Sequence, residues 1–188
     1  MKTFLRRALP LLLTFLAAAV LSYIVTPDKT PRASDFTLDA AAGPFTLSSL
    51  RGNVVLVYFG YASCPDICPT SLANLGTALS ELTPRELAET RGVFVSLDPE
   101  RDTPAELATY AAHFHPNIVG VTGADADIAE IAAQWGITYR RHGVDSALGY
   151  VVDHTSATFV VRPDGSLLTK LEHGTPPDDI VAAIRHAR

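Results

Sequence analysis

Sulfur is scarce in this chain. Methionine occurs once, at Met1, and cysteine twice, at Cys64 and Cys68, among 188 residues. With no methionine beyond the first position, a thioether metal site built from a methionine cluster is excluded. With no third cysteine, so is the sulfur-rich four-ligand set of a typical structural zinc site. Two cysteines cannot form a multi-bridge disulfide framework either. Charge is missing from one stretch altogether: Ala8 to Val25 is 18 residues without a charged side chain. No cysteine follows that run, which argues against a lipoprotein anchor. There is no internal repeat and no low-complexity segment.

Lys2, Arg6 and Arg7 precede the uncharged run. Residues 1–26 therefore read as a membrane anchor or signal segment. The run is marginal in length for a membrane span and long for a signal-peptide core. Ala17-Ala18-Ala19 offers a cleavage site, but an uncleaved anchor is favoured. The basic flank predicts a cytoplasmic N-terminus and an exported remainder. That points to a bacterial inner-membrane protein, single-pass, with its soluble domain in the periplasm; secretion after cleavage is the alternative. Residues 27–34 form a polar tether, and 35–188 are one domain's worth of chain. Residues 1–26 hold three of the 15 basic residues and none of the 20 acidic ones, so the remainder carries 12 against 20, a formal charge of −8. That balance argues against nucleic acid as a partner.

Both cysteines lie in Tyr58-Phe59-Gly60-Tyr61-Ala62-Ser63-Cys64-Pro65-Asp66-Ile67-Cys68-Pro69. Val54 to Phe59 is an apolar run of the length of a buried strand. After the cysteines, Leu72, Leu75, Leu79 and Leu82 recur at helical spacing. The thiols are thus expected where a strand ends and a helix begins, a place that favours thiolate over thiol. Residues i and i+4 of a helix share a face about 6 Å apart, so the pair can form a disulfide or converge on an ion. A permanent structural bridge is the plainer alternative. It would close too short a loop to stabilise the fold much.

The remaining elements follow in order. Asp35–Leu38 and Phe45–Leu47 read as a small hairpin. Thr83-Pro84-Arg85-Glu86 and Thr103-Pro104-Ala105-Glu106 have the form of capped helix starts. Val93–Leu97 and Ile118–Val121 read as strands, Asp125–Trp135 as a helix, and Ile137–Tyr139 as a short strand. Arg140 to Gly143 reads as flexible. Arg162-Pro163-Asp164-Gly165 is a turn, Ser166–Leu171 pairs back, and a last helix opens at Pro176. The class is α/β, with a central mixed sheet flanked by helices. A cysteine motif after the first core strand makes it thioredoxin-like.

Three motifs now stand in order: the Phe59-to-Pro69 cysteine segment, Asp98-Pro99-Glu100-Arg101-Asp102-Thr103-Pro104, and Asp153-His154-Thr155 ahead of Pro163-Asp164-Gly165. Together with Asn117 to Gly123 they resemble the Sco/SenC copper chaperones, from about Asp35 to the C-terminus. The chain departs from the family at Ala62-Ser63, where members often carry Thr-His; that position is not a family ligand. The resemblance implies one copper bound through Cys64, Cys68 and His154. It implies a role in metallating the dinuclear copper centre of cytochrome c oxidase subunit II or another copper-receiving envelope protein. A thiol-reductant protein would be a second partner.

The chemistry of those residues agrees. Soft thiolates select Cu(I), and an added imidazole keeps the site usable for Cu(II). Three donors leave one side open, as a protein that hands its metal over needs. Asp153 is expected as a hydrogen-bond acceptor beside His154. His113 and His115 are read as cations at a helix end, and His142, His173 and His186 as solvated. Arg101 and Asp102 are read as ordering their loop. The competing function is a thiol–disulfide oxidoreductase acting on envelope cysteines, with Cys64 and Cys68 as the redox pair. Such enzymes typically space their cysteines C-x-x-C, one residue shorter than here. A peroxidase is weaker still, because neither the second cysteine nor His154 needs that explanation.

Overall fold

The computed structural model describes residues 31–143 and 149–188. The expected leader over 1–26 lies outside them. Among the described residues no helix is long and apolar enough to cross a membrane.

β3 (Val54–Gly60) is the central strand, and all seven of its residues are buried. A strand covered on both faces needs no polar alternation, which is why its sequence is a continuous apolar run. The sheet runs in the order β5 (Ile118–Val121), β4 (Thr90–Ser96), β3, β8 (Ala157–Val161), β9 (Leu167–Glu172). β4 is parallel to both β3 and β5, whereas β8 is antiparallel to both β3 and β9. The expected mixed sheet is therefore present.

Helices cover both faces. Val54, Leu56 and Tyr58 pack against Leu72, Leu75 and Leu79 of α1 (Ile67–Ser80), Leu107 of α3 (Pro104–Phe114) and Ile184 of α5 (Pro177–Ala187). The alternate residues Val55, Val57 and Phe59 meet Ile128 and Ile131 of α4 (Asp125–Gln134), with Trp135 just beyond it. The Trp135 ring lies 5.6 Å from Phe59 and 5.2 Å from Phe159, and its Nε1–H donates to the Ser34 carbonyl at 3.1 Å. The chain has joined the fold by Pro31, whose carbonyl accepts from the Leu167 amide at 2.8 Å.

The helix starts at α2 (Pro84–Ala88) and α3 are complete capping boxes, each with proline in the first turn. In α3 the Thr103 hydroxyl accepts from the Glu106 amide at 3.3 Å, and the Glu106 carboxylate accepts from the Thr103 amide at 3.0 Å. Loss of an N-cap oxygen typically costs about 1 kcal/mol. Thr103→Ala is accordingly expected to lower stability by about that amount in urea unfolding, with an unchanged slope.

Several boundaries differ from expectation. The hairpin forms from β1 (Thr37–Ala40) and β2 (Gly43–Thr46), because Leu47 instead begins a turn of 3-10 helix. Leu82 lies beyond the end of α1 yet is buried. The largest correction concerns residues 139–143. They form a strand, β6 (Tyr139–Gly143), paired antiparallel with β7 (Tyr150–His154) in a separate ribbon. Arg140 to His142 are polar enough to look like loop. Long-range ion pairs hold them instead of an apolar face: Arg141 donates to Glu100 at 3.0 Å and to Asp125 at 2.8 Å.

Candidate metal centre

The site is assembled where β3 ends. Leaving that strand, the chain turns through Tyr61 to Cys64 and enters α1 at Ile67. Cys64 therefore precedes the helix and Cys68 lies in its first turn, so the two do not share a helical face as their spacing suggested. The Cys68 amide donates to Cys64 Sγ at 3.5 Å, and no side-chain oxygen caps this helix. The sulfur occupies the place that Ser, Thr or Asp oxygen takes at other helix starts. Pro69, still in the first turn, removes no intrahelical bond. Both cysteines are free.

His154 arrives from 86 residues away, as the last residue of β7, with Nε2 at 3.4 Å from Cys68 Sγ. The Tyr58 and Tyr61 rings stand edge-on to the imidazole, with centroids at 6.5 and 6.0 Å. Its Nδ1 lies 2.9 Å from the Thr155 carbonyl. A proton on Nδ1 donates there and leaves the Nε2 lone pair facing the sulfur. An open depression of about 390 Å³, lined by Thr138, Tyr139, Arg140, Asp153, His154 and Thr155, exposes the ring to solvent.

Asp153 does not fill the role expected of it. Successive side chains of a strand point to opposite faces, and Asp153 turns outward to His142, 3.2 Å from its Nδ1. The Thr155 carbonyl stands in its place beside His154. No sequence signal marks a backbone carbonyl. His115 is a second correction: it is 8% exposed, its Nδ1 accepts from the Asn117 amide at 3.0 Å, and burial lowers its pKa. It is neutral, and completes a turn where a cation was expected. His173 bonds Ser71 Oγ at 2.9 Å at the surface.

The two thiols are electrostatically unequal. Cys64 is held well below the usual thiol range by its hydrogen bond with Cys68, helped by the Asp66 and Cys68 amides, against a smaller opposing effect of burial. Cys68, with no exposed surface, is pushed up by the same bond to Cys64 and by burial. The outer sulfur is thus the readier of the two to ionise. Among the described residues, no three His, Cys, Asp or Glu side chains already sit tightly enough around one point to hold an ion. The donors meet pairwise, and two sulfurs plus one imidazole are a soft set suited to copper rather than to magnesium or calcium.

A family model described as SCO1/SenC matches residues 25–188. The chain belongs to the SCO1/SenC family. It is 36% identical over 161 residues to a SCO2-like protein of Rickettsia conorii, covering 85% of this chain and 78% of that one. The copper-bound ScoI of Bradyrhizobium japonicum superposes with a TM-score of 0.75 at 29% identity, covering 84% of this chain and 99% of that one. BsSco, a Sco-family cytochrome c oxidase assembly protein in which a disulfide switch has been identified, superposes with a TM-score of 0.66 at 27% identity, covering 87% and 96%. The mixed sheet and its flanking helices are those of these Sco structures.

Proposed function

We propose that this SCO1/SenC protein is a copper chaperone that binds one copper ion through Cys64, Cys68 and His154. It delivers the ion to the dinuclear centre of cytochrome c oxidase subunit II. Residues 1–26 anchor it in the inner membrane, a short tether leads from there to Pro31, where the chain joins the fold, and the remainder works as a copper-binding domain in the periplasm. The observation that carries this reading is the 3.4 Å approach of His154 Nε2 to Cys68 Sγ across 86 residues of chain, beside a second free thiol. A dithiol enzyme has no need of an imidazole there. The copper-bound relative and the oxidase-assembly relative support the same reading.

A second reading, thiol–disulfide oxidoreductase, is favoured by Cys64, which is partly exposed and has a lowered pKa. Oxidation of the pair to a disulfide would remove both sulfur donors, so redox state would also gate copper binding. A transfer experiment separates the two. The copper-loaded protein is mixed with purified metal-free subunit II carrying reduced cysteines. Copper is expected to appear on subunit II. If the metal stays put, while the reduced protein rapidly reduces a disulfide of subunit II, the chaperone reading fails and the oxidoreductase takes its place.

A further inference from the structure

The segment Asp98-Pro99-Glu100-Arg101-Asp102 supplies none of the three candidate ligands, yet it grips both pieces of chain that carry them. On one side, Asp102 is 3% exposed, and its Oδ2 accepts from Ser96 Oγ at 2.5 Å and from the Ala62 amide at 2.9 Å. Ala62 is two residues ahead of Cys64, so this carboxylate pins the cysteine loop. On the other side stands Arg101. Its Nε donates to Asp98 at 2.5 Å, and the Asp98 side chain has no exposed surface. Its Nη1 donates to the Tyr150 carbonyl at 3.0 Å, and the guanidinium lies over the Tyr150 ring, 3.7 Å from the centroid. The Tyr150 hydroxyl returns to the same carboxylate, donating to Asp98 Oδ1 at 2.6 Å.

Tyr150 opens β7 and His154 closes it. The guanidinium also stands 5.7 Å from the Tyr61 ring, which in turn meets the His154 ring edge-on. Arg101 thus reaches the histidine by two routes, along the ribbon and through Tyr61. A planar, always-charged guanidinium can stack and donate at once, which an ammonium cannot. A buried carboxylate anchor fixes it in place: Arg101 is the short partner of Asp98, with Arg141 farther off at 3.7 Å, and weakening that buried pairing would be costly.

We propose that Arg101 is a positioning residue: anchored on buried Asp98, it holds the ribbon bearing His154 at the distance from the cysteine loop at which all three donors can share one copper ion. The inference rests on the copper reading, because the residue positioned is a ligand only if His154 is one. Residues that orient metal ligands typically contribute 10–100-fold in affinity.

The test is a double-mutant cycle on the full-length, reduced protein, read by anaerobic Cu(I) competition titration, with Arg101→Ala and His154→Ala alone and together. Arg101→Ala is expected to weaken copper binding about 10–100-fold. In the His154→Ala background the same change should cost less than about 3-fold, because nothing remains to position. In the Cu(II) form, Arg101→Ala should disturb the imidazole-nitrogen splitting of the EPR spectrum and keep the sulfur-to-copper absorption. Should Arg101→Ala fail to fold, Arg101→Lys keeps the charge beside Asp98 but not the stack. It is then expected to weaken binding about 10-fold in the wild-type background alone. Three results would overturn the proposal: wild-type affinity in the Arg101 variant that folds, an equal loss with and without His154, or unchanged nitrogen splitting. Failure of the copper reading looks different: the wild type would not bind, or His154→Ala would bind like wild type.

Discussion

Cys68→Ser is expected to weaken Cu(I) binding roughly 10²–10³-fold. The magnitude follows from structural metal sites, where about 10–16 kcal/mol spread over four ligands leaves ~2.5–4 kcal/mol for each. Serine keeps the shape but offers a hard oxygen that does not ionise near neutral pH, in place of a soft sulfur. Cys64→Ser should cost a similar factor in affinity. The two variants should differ in stability. Cys68 has no exposed surface and packs in the main apolar cluster with Tyr58, Leu72 and Phe94. A hydroxyl buried there costs about 1–3 kcal/mol where its hydrogen bonding is incomplete. Cys64 is only partly buried, so its serine variant should unfold close to wild type. Metal titrations paired with urea unfolding would check both halves. Wild-type affinity in either variant would remove that sulfur from the site.

Gly60→Ala should damage the fold and the site together. Gly60 ends the central strand, and an added methyl group would lie 2.8 Å from Cys68 Sγ, 3.0 Å from Tyr58 Cε1 and 3.1 Å from Phe94 Cε2. None of the three can retreat easily. The rings stack with centroids 6.1 Å apart in the fully buried interior, and Cys68 is held in the first turn of its helix. Overpacking of this kind costs about 1–3 kcal/mol. Part of the strain would be relieved by displacing the Cys68 sulfur, so copper affinity should fall as well. Thermal unfolding of the metal-free protein and a Cu(I) titration measure the two effects separately. Unchanged stability would mean that the helix start yields readily, and that the sulfur is less firmly placed than its burial implies.

Some of this is legible in the sequence. The central strand announced itself because burial on both faces leaves an uninterrupted apolar run from Val54 to Phe59. The starts of α2 and α3 were legible because a capping box is local, written in four consecutive residues such as Thr103 to Glu106. The cysteine loop was legible as a strand-to-helix junction. What stayed hidden depends on partners far along the chain. Apart from Tyr139, which packs on the core, β6 carries only Arg140, Arg141, His142 and Gly143, so its periodicity is silent; Glu100 and Asp125 hold its polar part. The misassigned acceptor has a similar origin. Asp153 is adjacent to His154 in sequence, but strand alternation sends the two side chains apart, and the acceptor is a main-chain carbonyl with no residue signature. Likewise the spacing of Cys64 and Cys68 suggested one helical face, yet the helix begins only at Ile67. The bridging role of Arg101 between Asp98 and Tyr150 could not be inferred at all, since 49 residues separate it from Tyr150.

The most direct test of the account is an anaerobic Cu(I) titration of the full-length, reduced protein with His154→Ala alongside. One tightly bound equivalent, weakened when the imidazole is removed, is the result predicted for a three-donor copper site. No binding by the reduced wild type, or binding to which His154 makes no difference, would contradict it.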